Sequence, residues 1–217
     1  KESESDKKAV IVVTANRGLA GGYNSNITRM IIDEGFTKEN TVVYAVGKKG
    51  RELLERKGYE IKADYSEAIN DPIYKDAKEI CDDVLSAFAD GEVGEIYLAY
   101  TVFKNTVVHE PQLIRLLPVE ADDAAHETDG SEALMTYEPS EEEALDMIIP
   151  KYVCSLVYGA LIESVASENG ARMQAMDSAT SNAEEMISTL SLKYNRARQA
   201  SITQELTEII AGANAIE

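Results

Sequence analysis

Three groups of residues in this chain have the types and spacing that chemistry requires. The first is a glycine-rich loop, Thr14-Ala15-Asn16-Arg17-Gly18-Leu19-Ala20-Gly21-Gly22-Tyr23-Asn24, set between an apolar run and a helical pattern. Phosphates commonly bind at such a junction, where backbone N–H groups point outward from a helix start. The glycines fall at 18, 21 and 22, which is neither G-x-G-x-x-G nor a loop closing in G-K-[ST]. The alternative is structural: Gly18, Gly21 and Gly22 supply positive φ to a tight turn, and Asn24 or Ser25 caps the helix that follows.

The second group is small. His109 and His126 are the only histidines, one in an expected hairpin and the other in an acidic stretch. A metal at His126 with Asp122, Asp123 and Asp129 is conceivable, but these carboxylates are more simply a solvated loop, and their spacing is not that of an EF-hand. Cys81 and Cys154 lack C-x-x-C spacing, so a redox pair would require them to meet in space. Nothing resembles a nucleophile elbow or a catalytic triad. No catalytic residue, cofactor or metal is expected.

The third group lies near the end: Lys193-Tyr194-Asn195-Arg196-Ala197-Arg198, then Gln199-Ala200-Ser201-Ile202-Thr203-Gln204-Glu205-Leu206. On a helix Arg198 precedes Ile202 by one turn and Gln199 precedes Thr203 likewise. Ordinary surface polarity would look the same. A bare helix carrying cations and small polar groups is also what a socket in another protein grips.

The elements that must hold these groups follow from periodicity. Ala9–Thr14 is a β-branched run of the kind buried on both faces of a parallel sheet. A helix is expected over Asn26–Phe36, where Ile27, Met30, Ile31 and Glu34 share a face. Thr41–Val46 reads as a strand, Lys48–Lys57 as a short helix ended by Gly58, and Tyr59–Ala63 as a weaker strand. Ile73–Ala89 carries Ile73, Ala77, Ile80, Val84, Leu85 and Phe88 on one helical stripe. Glu95–Phe103, a tip at Lys104-Asn105 and a return strand over Thr106–Val119 complete the pattern. It predicts an α/β domain over residues 1–146, with a Rossmann-like, mostly parallel sheet and an antiparallel edge. Between Arg115 and Lys151 there are eleven acids and no base, which predicts a solvated loop over about 120–132. Leu134–Tyr137 is a possible further edge strand, and Ser140 with Glu141, Glu142 and Glu143 is a helix start.

Residues 147–217 are read as one long C-terminal helix. Met173, Met176, Thr180, Ala183, Ile187, Leu190, Tyr194 and Ala197 follow at alternating steps of three and four, a coiled-coil seam. Ile202, Leu206, Ile209 and Ala213 continue it with the phase slipped by one residue. A helix from Lys151 to about Ala215 is roughly 98 Å long, too long to lie entirely on a domain with a radius of gyration near ~15 Å. The expectation is a projecting helix in need of a partner.

Composition sets the outer limits. The chain has 217 residues, 44% of them apolar and 6% aromatic with no Trp, which favours helix over an all-β sandwich. Its formal charge of -18, from 39 acids and 21 bases, repels phosphate backbones and anionic lipid, so neither nucleic acid nor bilayer insertion is expected. No apolar run approaches the ~20 residues of a membrane span. Two cysteines are too few for a secreted disulfide scaffold and read as reduced cytosolic thiols.

TANRGLAGGYNSNI and SENGARMQAMDSATSNAEEMISTLSLKYNRARQASITQELTEIIAGANAI resemble the two signature regions of the gamma subunit of F-type ATP synthases. YEPSEEEALDMIIPKYV also lies in family order, so the resemblance covers nearly the whole chain. It implies a noncatalytic rotor at the central stalk, coupling ion flow through a membrane ring to ATP synthesis or hydrolysis at the beta subunits. The implied partners are the alpha and beta subunits of the hexamer, the epsilon subunit and the c-ring, on the cytoplasmic face of a bacterial membrane. Arg198, Gln199, Thr203 and Glu205 match family positions that contact beta subunits as a catch. Gly18, Gly21 and Gly22 match a glycine loop that packs inside the domain. The family begins with a basic helix of several dozen residues. This chain opens after it, so the resemblance implies a missing N-terminal partner for the seam. Cys81 and Cys154 do not match the regulatory dithiol of plastid members. Two other readings stay open on residues alone: a nucleotide-dependent enzyme using the glycine loop, and a self-associating coiled-coil scaffold.

Overall fold

Valine, isoleucine and alanine in unbroken runs leave a strand no polar face, and the sheet accommodates this by being covered on both sides. The computed structural model describes residues 5–119 and 141–214. In chain order the elements are β1 (Lys8–Val13), α1 (Tyr23–Asp33), β2 (Thr41–Val46), α2 (Lys48–Arg56), β3 (Glu60–Asp64), α3 (Tyr74–Ala89), β4 (Glu95–Phe103), β5 (His109–Leu117) and α4 (Glu141–Asn214). The chain divides into two compact units, Lys1–Gln174 and Ala175–Glu217.

The first unit is built on a five-stranded sheet of order β3-β2-β1-β4-β5. Strands β1, β2, β3 and β4 are parallel, and β5 returns antiparallel along β4. Alternate residues of β1 feed two separate cores. Ala9, Ile11 and Val13 pack with Ile80, Cys81 and Val84 of α3 and with Val153, Cys154, Val157 and Leu161 of α4. Val10 and Val12 pack on the other face with Ile27 and Ile31 of α1 and Leu54 of α2. Helix α4 therefore contributes its early turns to the core of the sheet domain. Edge strand β3 carries the charges Glu60, Lys62 and Asp64 among its five residues, which blunts the edge against further pairing.

Several expected boundaries move, most by a single residue and three by more: α1, the return strand and the start of α4 at Glu141 rather than 147. Helix α1 begins at Tyr23, not Asn26, and ends at Asp33. Neither Asn24 nor Ser25 caps it: the N-cap is Gly22, Asn24 Oδ1 accepts from Ala15 N at 2.8 Å, and Ser25 Oγ donates to the Gly22 carbonyl at 3.0 Å. The return strand starts at His109 because Asn105 Oδ1 accepts from the Val107 and Val108 amides at 2.9 and 2.8 Å, drawing Thr106–Val108 into the turn. Helix α4 runs through Pro150 without a break. The acidic loop, the possible strand at Leu134–Tyr137, the Ser140 cap and the set His126, Asp122, Asp123 and Asp129 lie outside the described residues.

The second unit, as described, is the remainder of α4. From Met176 to Asn214 every residue is exposed. One 18-residue window of α4, in the part that belongs to the first unit, reaches a mean hydropathy of 1.5, enough by length and composition for a membrane span, with 28% of the window buried inside the molecule. Pro150, Lys151 and Ser155 interrupt the apolar residues of this part of the helix, so no continuous apolar run marks it in the sequence.

Candidate functional site

The order of the strands reverses between β1 and β4, and doubly wound sheets take their ligands in the crevice beyond the carboxyl ends at that point. The glycine loop stands at this mouth. Thr14 Oγ1, at the end of β1, accepts from Gly50 N at 2.9 Å, and a methyl added at Gly47 would overlap the Thr14 carbonyl. Asn16 ties three neighbouring loops together. Its Nδ2 donates to the Ser66 carbonyl at 2.7 Å and to Asn70 Oδ1 at 2.9 Å, while its Oδ1 accepts from Lys48 N at 3.0 Å. Of the three glycines expected to supply positive φ, Gly21 alone does (φ 56°), while Gly18 and Gly22 do not and Leu19 takes a left-handed backbone instead (φ 64°), its side chain 76% exposed.

Helix α4 fills the mouth. The Tyr23 hydroxyl donates to the Ser164 carbonyl at 3.1 Å, and burial pushes the Tyr23 phenol well above its ordinary range. Ala171 packs against Ala15, Ala20 and Tyr23. Arg172 Nη2 reaches the Gly18 carbonyl at 3.5 Å while paired with Glu168 Oε1 at 2.6 Å. From the β4 side, the Thr101 carbonyl accepts from Ser167 Oγ at 3.1 Å, and the His109 imidazole lies directly over Gly170. The amides of Ala15 and Tyr23 and the side chain of Asn24 are all engaged within the chain. Gly18, Gly21 and Gly22 are exposed at the rim of this loop, and of its backbone polar groups the Gly18 carbonyl is the one that meets α4, through Arg172.

Cys81 of α3 and Cys154 of α4 do meet in space. Both are free and buried, and their thiols are in hydrogen-bond contact. Burial, and then the hydrogen bond to Cys154, push the Cys81 thiol far above its ordinary range, which leaves little thiolate for redox or metal chemistry.

The seam residues Met173, Met176, Thr180, Ala183, Ile187, Leu190, Tyr194 and Ala197 are all exposed on α4. The Thr180 hydroxyl donates to the Met176 carbonyl at 2.9 Å, so its polar group is satisfied within the helix and its methyl is available for packing. The same spacing continues upstream. Ile148, Tyr152, Ser155, Gly159, Ile162, Ala166 and Asn169 precede Met173 at the same steps of four and three. All but the half-buried Ala166 are exposed, whereas Val153, Val157, Ala160, Ser164 and Ser167 between them are buried against the sheet. The signal was present in the sequence, but small and polar residues at 155, 159, 166 and 169 masked it. Arg198, Gln199, Thr203 and Glu205 are exposed on α4, with Gln199 and Thr203 one turn apart.

Fold and site together describe an α/β domain of the doubly wound class, its sheet mouth packed against its own helix α4, with a row of apolar residues exposed along that helix. Comparison with known proteins agrees. The family model described as ATP synthase matches residues 1–216. The ATP synthase gamma chain of Lachnoclostridium phytofermentans is 67% identical over 98% of this chain and 75% of its own length. The ATP synthase gamma chain of Acetobacterium woodii, described as sodium ion specific, is 42% identical over 99% of this chain and 76% of its own. A solved Euglena gracilis mitochondrial ATP synthase chain shares the fold, with a TM-score of 0.72 at 19% identity over 98% of this chain and 74% of that one. The chain belongs to the gamma chain family of F-type ATP synthases.

Proposed function

We infer that this chain works without catalysing anything itself, as the turning element between an ion-driven ring and the catalytic sites of beta subunits. The observation that carries this reading is the exposed seam from Ile148 to Ala197 on α4. It calls for a second, antiparallel helix, and the basic N-terminal helix of the gamma family suits a chain with a net charge of -18. The paired helices form a shaft within a hexamer of alternating alpha and beta subunits. A single asymmetric shaft presents different faces to three like sites. Each site is then biased by its own contact energy, and turning the shaft moves them in sequence through different affinities.

Arg198, Gln199, Thr203 and Glu205 form the catch that meets the beta subunits. Ile202 lies within the same turns and provides an apolar centre to a polar rim. The sheet domain meets the epsilon subunit and the polar loops of the c-ring, which places the chain peripherally on the cytoplasmic face of a bacterial membrane.

The test is reconstitution of the complete subunit with alpha and beta subunits. A stable complex with ATPase activity is expected, and Arg198→Ala should alter its turnover while leaving assembly intact. Stoichiometric micromolar binding of ATP by the gamma chain alone would instead favour an enzyme using the glycine loop.

A further inference from the structure

Helix α4 is held near the end of the first unit by two jaws. The glycine loop grips Ser164, Ala171 and Arg172, and the β4–β5 hairpin grips Ser167 and Gly170. At ~100° per residue, Ser167 and Gly170 lie about 60° apart around the helix, with Ala171 and Arg172 turned away on the other side of Ser167. Opposed contacts of this kind resist rotation of the helix about its own axis. At the hairpin jaw the approach is close enough that a methyl on Gly170 would overlap His109 Nε2. That nitrogen is buried with no hydrogen-bond partner. The ring is placed by packing, between the helix backbone and the Phe103 ring at 6.0 Å, and not by a hydrogen bond at Nε2.

We propose that His109 and Gly170 are a positioning pair that sets the rotational phase of α4 in the sheet domain, so that torque passes between that domain and the shaft without slack. The proposal rests on the rotor reading above. Glycine at 170 is then a fit to the imidazole, since a helix interior otherwise favours alanine.

The experiment uses Gly170→Ala, His109→Ala and the double variant in the complete, membrane-reconstituted complex, measuring ATP hydrolysis and ions moved per ATP. Gly170→Ala should keep hydrolysis but lose ions moved per ATP. The double variant should recover much of that loss, because the methyl takes up space the imidazole vacates. An unchanged ratio in Gly170→Ala, or a double variant no better than Gly170→Ala, would overturn the pair. Melting of the gamma chain provides the second arm. Gly170→Ala should lower Tm by about 2–4 °C in the wild-type background and leave it level or raised in the His109→Ala background. An equal drop in both backgrounds also overturns the pair. Failure of the unsubstituted chain to assemble with alpha and beta subunits would sink the rotor reading instead, whatever the melting cycle gives.

Discussion

The Tyr23 hydroxyl and the Ser164 carbonyl, 141 residues apart in sequence, are joined by a hydrogen bond of 3.1 Å inside the mouth of the sheet. It connects the first turn of α1 to the helix that occupies the crevice. Tyr23→Phe keeps the ring and removes the donor. It should destabilise the chain by about 1 kcal/mol in urea unfolding, with the m-value unchanged.

Gly47 separates β2 from α2 with a φ of 115°, and a side chain there would meet the Thr14 carbonyl. Backbone strain and overlap act together, so Gly47→Ala should cost at least ~2 kcal/mol. Gly18, which a methyl would leave in open space, should tolerate alanine far better. Parallel urea titrations of the two variants check the contrast.

Lys8 and Glu95 pair at 2.7 Å where β1 and β4 begin. The bond to Lys8 holds the Glu95 carboxyl below its ordinary value, and the same bond raises Lys8. A depressed carboxyl stabilises the fold above the ordinary glutamate range, and the contribution fades as pH falls through the folded value. The raised lysine contributes until pH rises past its own folded value. Both groups are partly solvated, so the pair contributes no more than about 1 kcal/mol. The stability difference between wild type and Glu95→Gln should be level from about pH 6 to 9 and shrink steadily as pH falls from the ordinary glutamate range toward the depressed folded value.

Cys81 and Cys154 should react with iodoacetamide only through opening of the α3–α4 core. Burial keeps the Cys81 thiol covered and protonated, so at pH 8.5 labelling should be slow in the native chain and fast in urea. Mass spectrometry of labelled peptides reads both rates.

Leu190 and Ile187 are 57% and 64% exposed. Leu190→Asp should leave melting of the sheet domain unchanged and weaken binding of a second helix, each seam residue contributing up to ~1.5–3 kcal/mol of burial. Circular dichroism and assembly with alpha and beta subunits separate the two effects.

What the sequence disclosed follows the strength of its periodicities. Thr41–Val46 and Glu95–Phe103 stand where their residue types place them, since a run of β-branched residues fits little but a buried strand. Turn chemistry was less legible. Asn24 looks like a helix cap in sequence, but a cap and a loop staple use the same carboxamide, and only the tertiary partner, Ala15 N, distinguishes them. The grip on α4 was hidden for a different reason. Tyr23, Ser167 and Gly170 lie in the two stretches that carry the family resemblance, but nothing in their types says that they meet α4 and the hairpin, and Ser164 stands outside both; their meaning arises only when distant parts of the chain meet. The contact of Cys81 with Cys154 is of the same kind.

The membership of Val153, Val157 and Leu161 in the core beneath β1 has a consequence for synthesis. All five strands and three helices precede these residues in the chain, yet one face of the sheet is unfinished without them. A nascent chain that has delivered β5 presents Ile11, Leu98 and their neighbours to water until the first turns of α4 arrive. That interval, brief at ~5–20 residues per second, is when the chain is most open to misassembly and most in need of a chaperone. Truncation before Val153 should therefore yield an insoluble sheet, whereas truncation after Gln174 should leave a domain that folds.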